Sequence, residues 1–252
     1  MSGPQDLRPG DIGFGPLSGA AAAAMWGQFI LGEGFTVGRL KVGHVFVVTE
    51  ESKYHQGVTL HDPRQNRYMP IEDAPPPGFA SYAAAESAGY AVYRTGVITA
   101  PRVVEAMPRG ARQADLKIDR WTPRFAYVRL PEDYPGQADD AAAIARAMIG
   151  TPYSFASYAA LAAWRFGIAT PRLEKWIGRR RRPFRIWSRG EQLDIALPCE
   201  AICSVLADQA WSLAGKKIFD DDRPHQCVTP GALAGRLLSY PGAQWLWPGR
   251  DE

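Results

Sequence analysis

The chain has 252 residues, of which 46% are hydrophobic and 22% charged, a balance that suits a globular protein with a sizeable core and excludes wholesale disorder. A formal net charge of +3 is too small to make nucleic acid the expected partner. The three cysteines, Cys199, Cys203 and Cys227, do not read as a disulfide framework, and with four scattered histidines they show no zinc-ligand spacing; no metal or cofactor is expected.

The opening MSGPQDLRPGD is polar and lacks the basic segment of a secretory leader. The protein is therefore expected to be cytoplasmic as synthesised, and any action outside the cell would need a non-classical delivery route. Residues 7–14 read as a Pro9-Gly10 turn followed by a short strand. Residues 13–31 carry no charge but are rich in Gly and Ala. They predict a buried helix over 20–31, not a transmembrane segment. The β-branched run at 42–49 predicts a buried strand, with further strands at 57–62 and 66–71 and an APPPG turn at 74–78. Strands follow at 90–95 and 125–130; residues 96–124 are basic and proline-interrupted and carry no assigned element.

The stretch 139–149 predicts a helix, with acidic residues at the positive end of its dipole and Gly150 as its stop. Residues 158–166 and 200–213 also read as helices. A basic run occupies 179–182, with Trp176 and Trp187 nearby. Thr229 and Pro230 form an N-cap and first-turn pair before a short helix, and a Trp/Pro/Gly tail closes the chain. There is no internal repeat, and a single domain over residues 1–252 is expected.

Cys203 falls near the start of its helix, where unsatisfied N–H groups and the dipole favour a thiolate. Taken alone it also reads as a core cysteine of an amphipathic helix. His44 opens an apolar strand, which puts its ring at the strand's rim; taken alone it reads as a satisfied core histidine. His61 ends the next strand. Pairing of the two strands would bring both rings to one edge, so that His61 could orient His44. His55 reads as a surface residue in a KYHQG turn. Cys199, just before the helix proper, competes with Cys203 as nucleophile, and Cys227 reads as a structural cysteine in a loop beside His225.

Four short segments resemble one family. LRPGDIGF is similar to the LxPGDLVFF segment of NlpC-type cysteine peptidases, GHVFVV with TLHDP to their HVGIY strand and IHAP, IGTPYSF to their LGxPYxWGG segment, and ICSVLADQAW to their DCSGLV nucleophile helix. The order PGD, His, His, PY, CS is that of the permuted branch, which includes lecithin:retinol acyltransferase-like proteins and bacterial permuted amidases. The resemblance implies an α+β, papain-like, circularly permuted fold, with a central antiparallel sheet packed on the nucleophile helix and an inserted cap at residues 155–198.

It also implies roles. Cys203 is the nucleophile, His44 the base, His61 the orienting residue (with Asp62 as the alternative), Tyr153 the tyrosine beside the nucleophile, and Asp11 a structural residue. The backbone N–H of Cys203 would contribute to an oxyanion hole. Phe46 departs from the family's Gly beside His44. The implied activity is hydrolysis of an amide bond in a peptide or cell-wall substrate such as peptidoglycan; the alternatives are a thiol acyltransferase or lipid esterase, and a catalytically inactive copy acting in binding or assembly. Oligomeric state is not legible.

Overall fold

The computed structural model describes residues 6–16, 36–37, 40–62, 67–71, 80–89, 91–116, 120, 122–154, 156–157, 179–188, 191–221, 223 and 225–248. The helices expected over 20–31 and 158–166 and the turn at 74–78 lie outside these residues. The chain divides into two compact units, one of Met1–Glu51 with Ala100–Glu252 and the other of Ser52–Thr99.

The first unit contains β1 (Ile12–Gly15), β2 (Thr36–Val37), β3 (Leu40–Lys41) and β4 (His44–Glu50). The second contains β5 (Lys53–Asp62), β6 (Arg67–Ile71), α1 (Tyr82–Ser87) and β7 (Ala91–Thr99). The first unit resumes with β8 (Arg102–Met107), β9 (Gly110–Asp115), β10 (Ala126–Arg129) and α2 (Gln137–Ala147). It continues through β11 (Arg181–Ser188), β12 (Glu191–Pro198), α3 (Cys203–Leu213), α4 (Pro230–Leu238) and β13 (Gln244–Leu246).

A six-stranded sheet in the order β13-β10-β1-β4-β8-β9 organises the first unit, and every neighbouring pair in it is antiparallel. The class is α+β. Period-2 alternation sends successive side chains to opposite faces. Ile12, Phe14, Val45, Val47, Val104 and Val128 face the main core, where Ile144 of α2, Leu206 and Trp211 of α3 and Leu233 of α4 meet them. Phe46, Val48, Val103 and Tyr127 face a second, smaller cluster with Leu7 and Leu116.

Helix α3 is fastened to the start of the sheet, its Trp211 indole N–H donating to the Gly10 carbonyl at 3.1 Å. Gly10 sits at φ +87, and a Cβ there would lie 2.7 Å from the Ala138 carbonyl oxygen. Only glycine therefore serves both the turn and the close approach of α2. Asp11 accepts from the Arg8 N–H at 2.8 Å and from Arg129 Nη2 at 2.7 Å, holding the strand entry as the sequence led us to expect. Thr229 caps α4 by accepting from the Ala232 N–H at 3.0 Å.

The segment 96–124, left without an element by the sequence, holds the β8–β9 hairpin, closed at Gly110 with φ +110. Within the expected cap, β11 and β12 form a second hairpin. The hairpin is anchored along its length: Ile186 and Leu197 join the main core, and at its base Arg182 donates to the Ala147 carbonyl at 2.9 Å and to Thr151 Oγ1 at 3.1 Å. The basic run at 179–182 is thus partly structural, since Arg180 also pairs with Glu200.

Two expectations are corrected. His55 lies within β5, opposite Val97, and not in a turn. The partners of β4 among the described residues are β1 and β8, and those of β5, which carries His61, are β6 and β7 in a three-stranded sheet. Sequence adjacency suggested a hairpin, but the apolar run of β8 fits the buried edge of β4, and β5 finds its partners inside its own unit.

Candidate active site

Cys203 is the first residue of α3 and is fully buried. The N-cap, Ile202, has extended backbone and its apolar side chain caps nothing, so the first-turn N–H groups keep their partial positive charge for another acceptor. The neighbouring Ser204 is locked in place by donating to the Val228 carbonyl at 2.6 Å.

The PY segment meets this turn. Tyr153 forms a parallel bridge with Ala201, flanked by hydrogen bonds from the Ala201 N–H to the Pro152 carbonyl at 3.0 Å and from the Ser154 N–H to the Ala201 carbonyl at 3.2 Å. Tyr153 therefore pairs two residues ahead of the nucleophile candidate, and it is buried. Cys199 lies before the helix, partly exposed, its N–H donating to the Arg180 carbonyl at 3.0 Å.

His44 opens β4, so its ring stands at the end of the sheet, where a helix N-terminus can reach it, and not over the middle of a face. It is buried, with 6% of its surface exposed. Its Nε2–H donates to Glu105 Oε2 at 2.9 Å. Among the described residues no well-aligned hydrogen bond reaches Nδ1. Cys203 is a further group whose side chain acts electrostatically on the ring. Burial alone would lower the ring's pKa, but the Cys203 and Glu105 side chains outweigh it and push it up to about 9. The ring thus holds its proton at neutral pH.

Glu105 is fully buried on β8, in register with Phe46 of β4. An unpaired carboxylate there would cost several kcal/mol, yet this one is saturated with donors. Oε1 accepts from Arg112 Nε at 3.1 Å and Nη2 at 2.9 Å, and Oε2 from Arg120 Nη1 at 2.9 Å in addition to His44. Burial works to raise its pKa, and the imidazole and Arg120 override that and hold the carboxyl well below the usual carboxylate range.

Of the expected site residues, Cys203, His44 and Tyr153 converge around one helix start. His61 lies on β5 in the other unit, opposite Tyr68 and Ala91, with Asp62 next to it. The acceptor on the His44 ring is Glu105, which sequence reading missed because its strand sits in the unassigned segment. A signal was there: RVVEAM and GARQAD flank a Pro-Arg-Gly turn, and a lone glutamate inside an apolar run marks a buried carboxylate that requires partners. Away from this site, His225 Nδ1 pairs with Asp208 on α3. Among the described residues no group of three His, Cys, Asp or Glu side chains is placed to hold a metal ion, and no helix is long and apolar enough to cross a membrane.

Comparison with family models, with curated proteins and with solved structures found no match to this chain.

Proposed function

We propose that this protein is a thiol hydrolase of amide bonds, of the permuted papain-like, NlpC-type kind, with Cys203 as nucleophile, His44 as proton carrier and Glu105 as the carboxylate that orients His44. The observation that carries the reading is the buried Glu105–His44 hydrogen bond, together with the electrostatic coupling of that ring to Cys203 at an uncapped helix start. Nucleophile, base and orienter in that order are what acyl transfer through a thiol requires.

In the step this supports, the Cys203 sulfur attacks the amide carbonyl carbon, and first-turn N–H groups of α3 face the oxyanion that forms. The C–N bond breaks as His44 gives its proton to the leaving amine. Water then attacks the thioester, His44 takes a proton from it, and the acid leaves as the C–S bond breaks. Peptide or cell-wall substrate is inferred from the resemblance of the PGD, His, PY and CS segments, because the geometry bears on the thiol and not on what it attacks.

The complete burial of Cys203 favours a second reading, a non-catalytic copy of the fold in which this cysteine is core; the hydrolase reading requires the rim beside His44 to open. One experiment separates them. Iodoacetamide labelling at pH 7, read by peptide mass spectrometry, is expected to modify Cys203 faster than Cys227, and His44→Ala should suppress that labelling at least tenfold. Equal, slow labelling of both cysteines, indifferent to the histidine, would establish the second reading.

A further inference from the structure

We propose that Arg120, seated on the Phe46 ring, is a positioning residue that holds the Glu105 carboxylate in place against His44; this deepens, and rests on, the thiol-hydrolase reading. Arg120 is the guanidinium that spans both carboxylate oxygens, with Nη1 at 2.9 Å from Oε2 and Nη2 at 3.4 Å from Oε1, whereas Arg112 reaches Oε1 alone. A donor pair across both oxygens fixes the rotation of the carboxylate, and that rotation decides whether Oε2 faces His44 Nε2. Arg112 is also the more replaceable partner, its side chain being 57% exposed against 21% for Arg120, so water can stand in for it.

Arg120 is itself held from two sides. Its guanidinium carbon lies 5.3 Å from the Phe46 ring centroid, and its carbonyl accepts from the Tyr127 hydroxyl at 2.7 Å. Phe46 and Tyr127 meet edge to face at 5.9 Å. Room for the Phe46 ring comes from Gly13 on β1, where a Cβ would lie 2.1 Å from Phe46 Cε2. Phe46 is the residue that departs from the glycine of the family pattern, and here that departure supplies the platform for the cation.

Among the described residues, the charged and titratable groups that act on Glu105 are His44 on β4, Arg112 on β9 and Arg120 in the β9–β10 connection; those that act on His44 are Glu105 and Cys203. Removing Arg120 has two effects of one sign. The carboxylate becomes a better proton-sharing partner, and a positive charge near the imidazolium disappears, so His44 should hold its proton to higher pH. The freed carboxylate still meets His44 but in more than one rotation, so the imidazole loses its fixed aim and reactivity should fall even as the pKa rises. A residue with a merely structural role would lower the melting temperature and leave the histidine titration where it was.

The test uses the full chain with ¹³C-labelled histidine, following the His44 ring by NMR from pH 5 to 11, its signal assigned with His44→Ala. Arg120→Met is expected to move the His44 midpoint up by about 0.5–1 unit and to slow iodoacetamide labelling of Cys203 at pH 7 by about tenfold. Arg120→Lys should return the midpoint toward wild type but not the rate, because a point charge cannot span two oxygens. Should Arg120→Met not fold, Phe46→Leu is read in its place, with an upward shift of the same sign expected. An unmoved midpoint in the folded variant overturns the proposal. A wild-type labelling rate indifferent to His44→Ala instead overturns the hydrolase reading, and the NMR titration still reports on Arg120.

Discussion

Replacing Glu105 by glutamine removes the carboxylate while keeping its size, and its consequences can be worked from the His44 environment. The ring's pKa stands at about 9 against an ordinary 6.5, a displacement equivalent to roughly 3 kcal/mol. Burial opposes it, and Cys203 and Glu105 together support it. Because the folded-state pKa is raised, this contribution to stability is fully present below about pH 6.5 and is lost as pH rises through about 9. Wild-type unfolding free energy should therefore fall by about 3 kcal/mol between pH 6.5 and pH 9.5 on account of this group. In Glu105→Gln the new side chain offers His44 an amide in place of a charge, and burial then draws the pKa back down. The fall with pH should shrink to less than half, and stability at pH 6.5 should drop by about 3 kcal/mol as a buried pair is broken. Urea unfolding at pH 6.5, 8 and 9.5, followed by tryptophan fluorescence, measures both. A Glu105→Gln protein that keeps the wild-type pH dependence would refute the reasoning, since His44 would then owe nothing to this carboxylate.

Two further outcomes follow from the packing. Gly13→Ala places a Cβ inside the Phe46 ring, and should cost about 2–3 kcal/mol; the double variant with Phe46→Leu should recover part of that loss, a coupling that a double-mutant cycle in urea would reveal. Thr229→Ala removes the side-chain cap of α4 and should cost about 1 kcal/mol, seen as a small drop in thermal midpoint with the His44 titration unchanged.

Much of the first unit was legible locally. The PGD turn, the β4 strand, helix α2 with its acidic first turn and the Thr229-Pro230 start of α4 follow from φ preferences, β-branched runs and capping chemistry, all of which act over a few residues. The position of Cys203 at a helix start and of Tyr153 close to it could be anticipated from the order of four short motifs. Strand partnership could not. Pairing is decided by which buried edges fit, and nothing local distinguishes β5 from β8 as the neighbour of β4. That difference moved the acceptor on His44 from an expected histidine to Glu105, 61 residues away in sequence.

The sequence by itself determined which residue types are available for chemistry and which local conformations they favour, because side-chain type and backbone preference are properties of short segments. Only the tertiary structure decided how that chemistry is tuned. The proton affinity of His44 is set by its burial, by Cys203 and by the carboxylate at its Nε2, and that carboxylate is held by two arginines, one of them over an aromatic ring. Electrostatic effects of this kind depend on distance and burial, which exist only once strands far apart in the chain have been brought side by side.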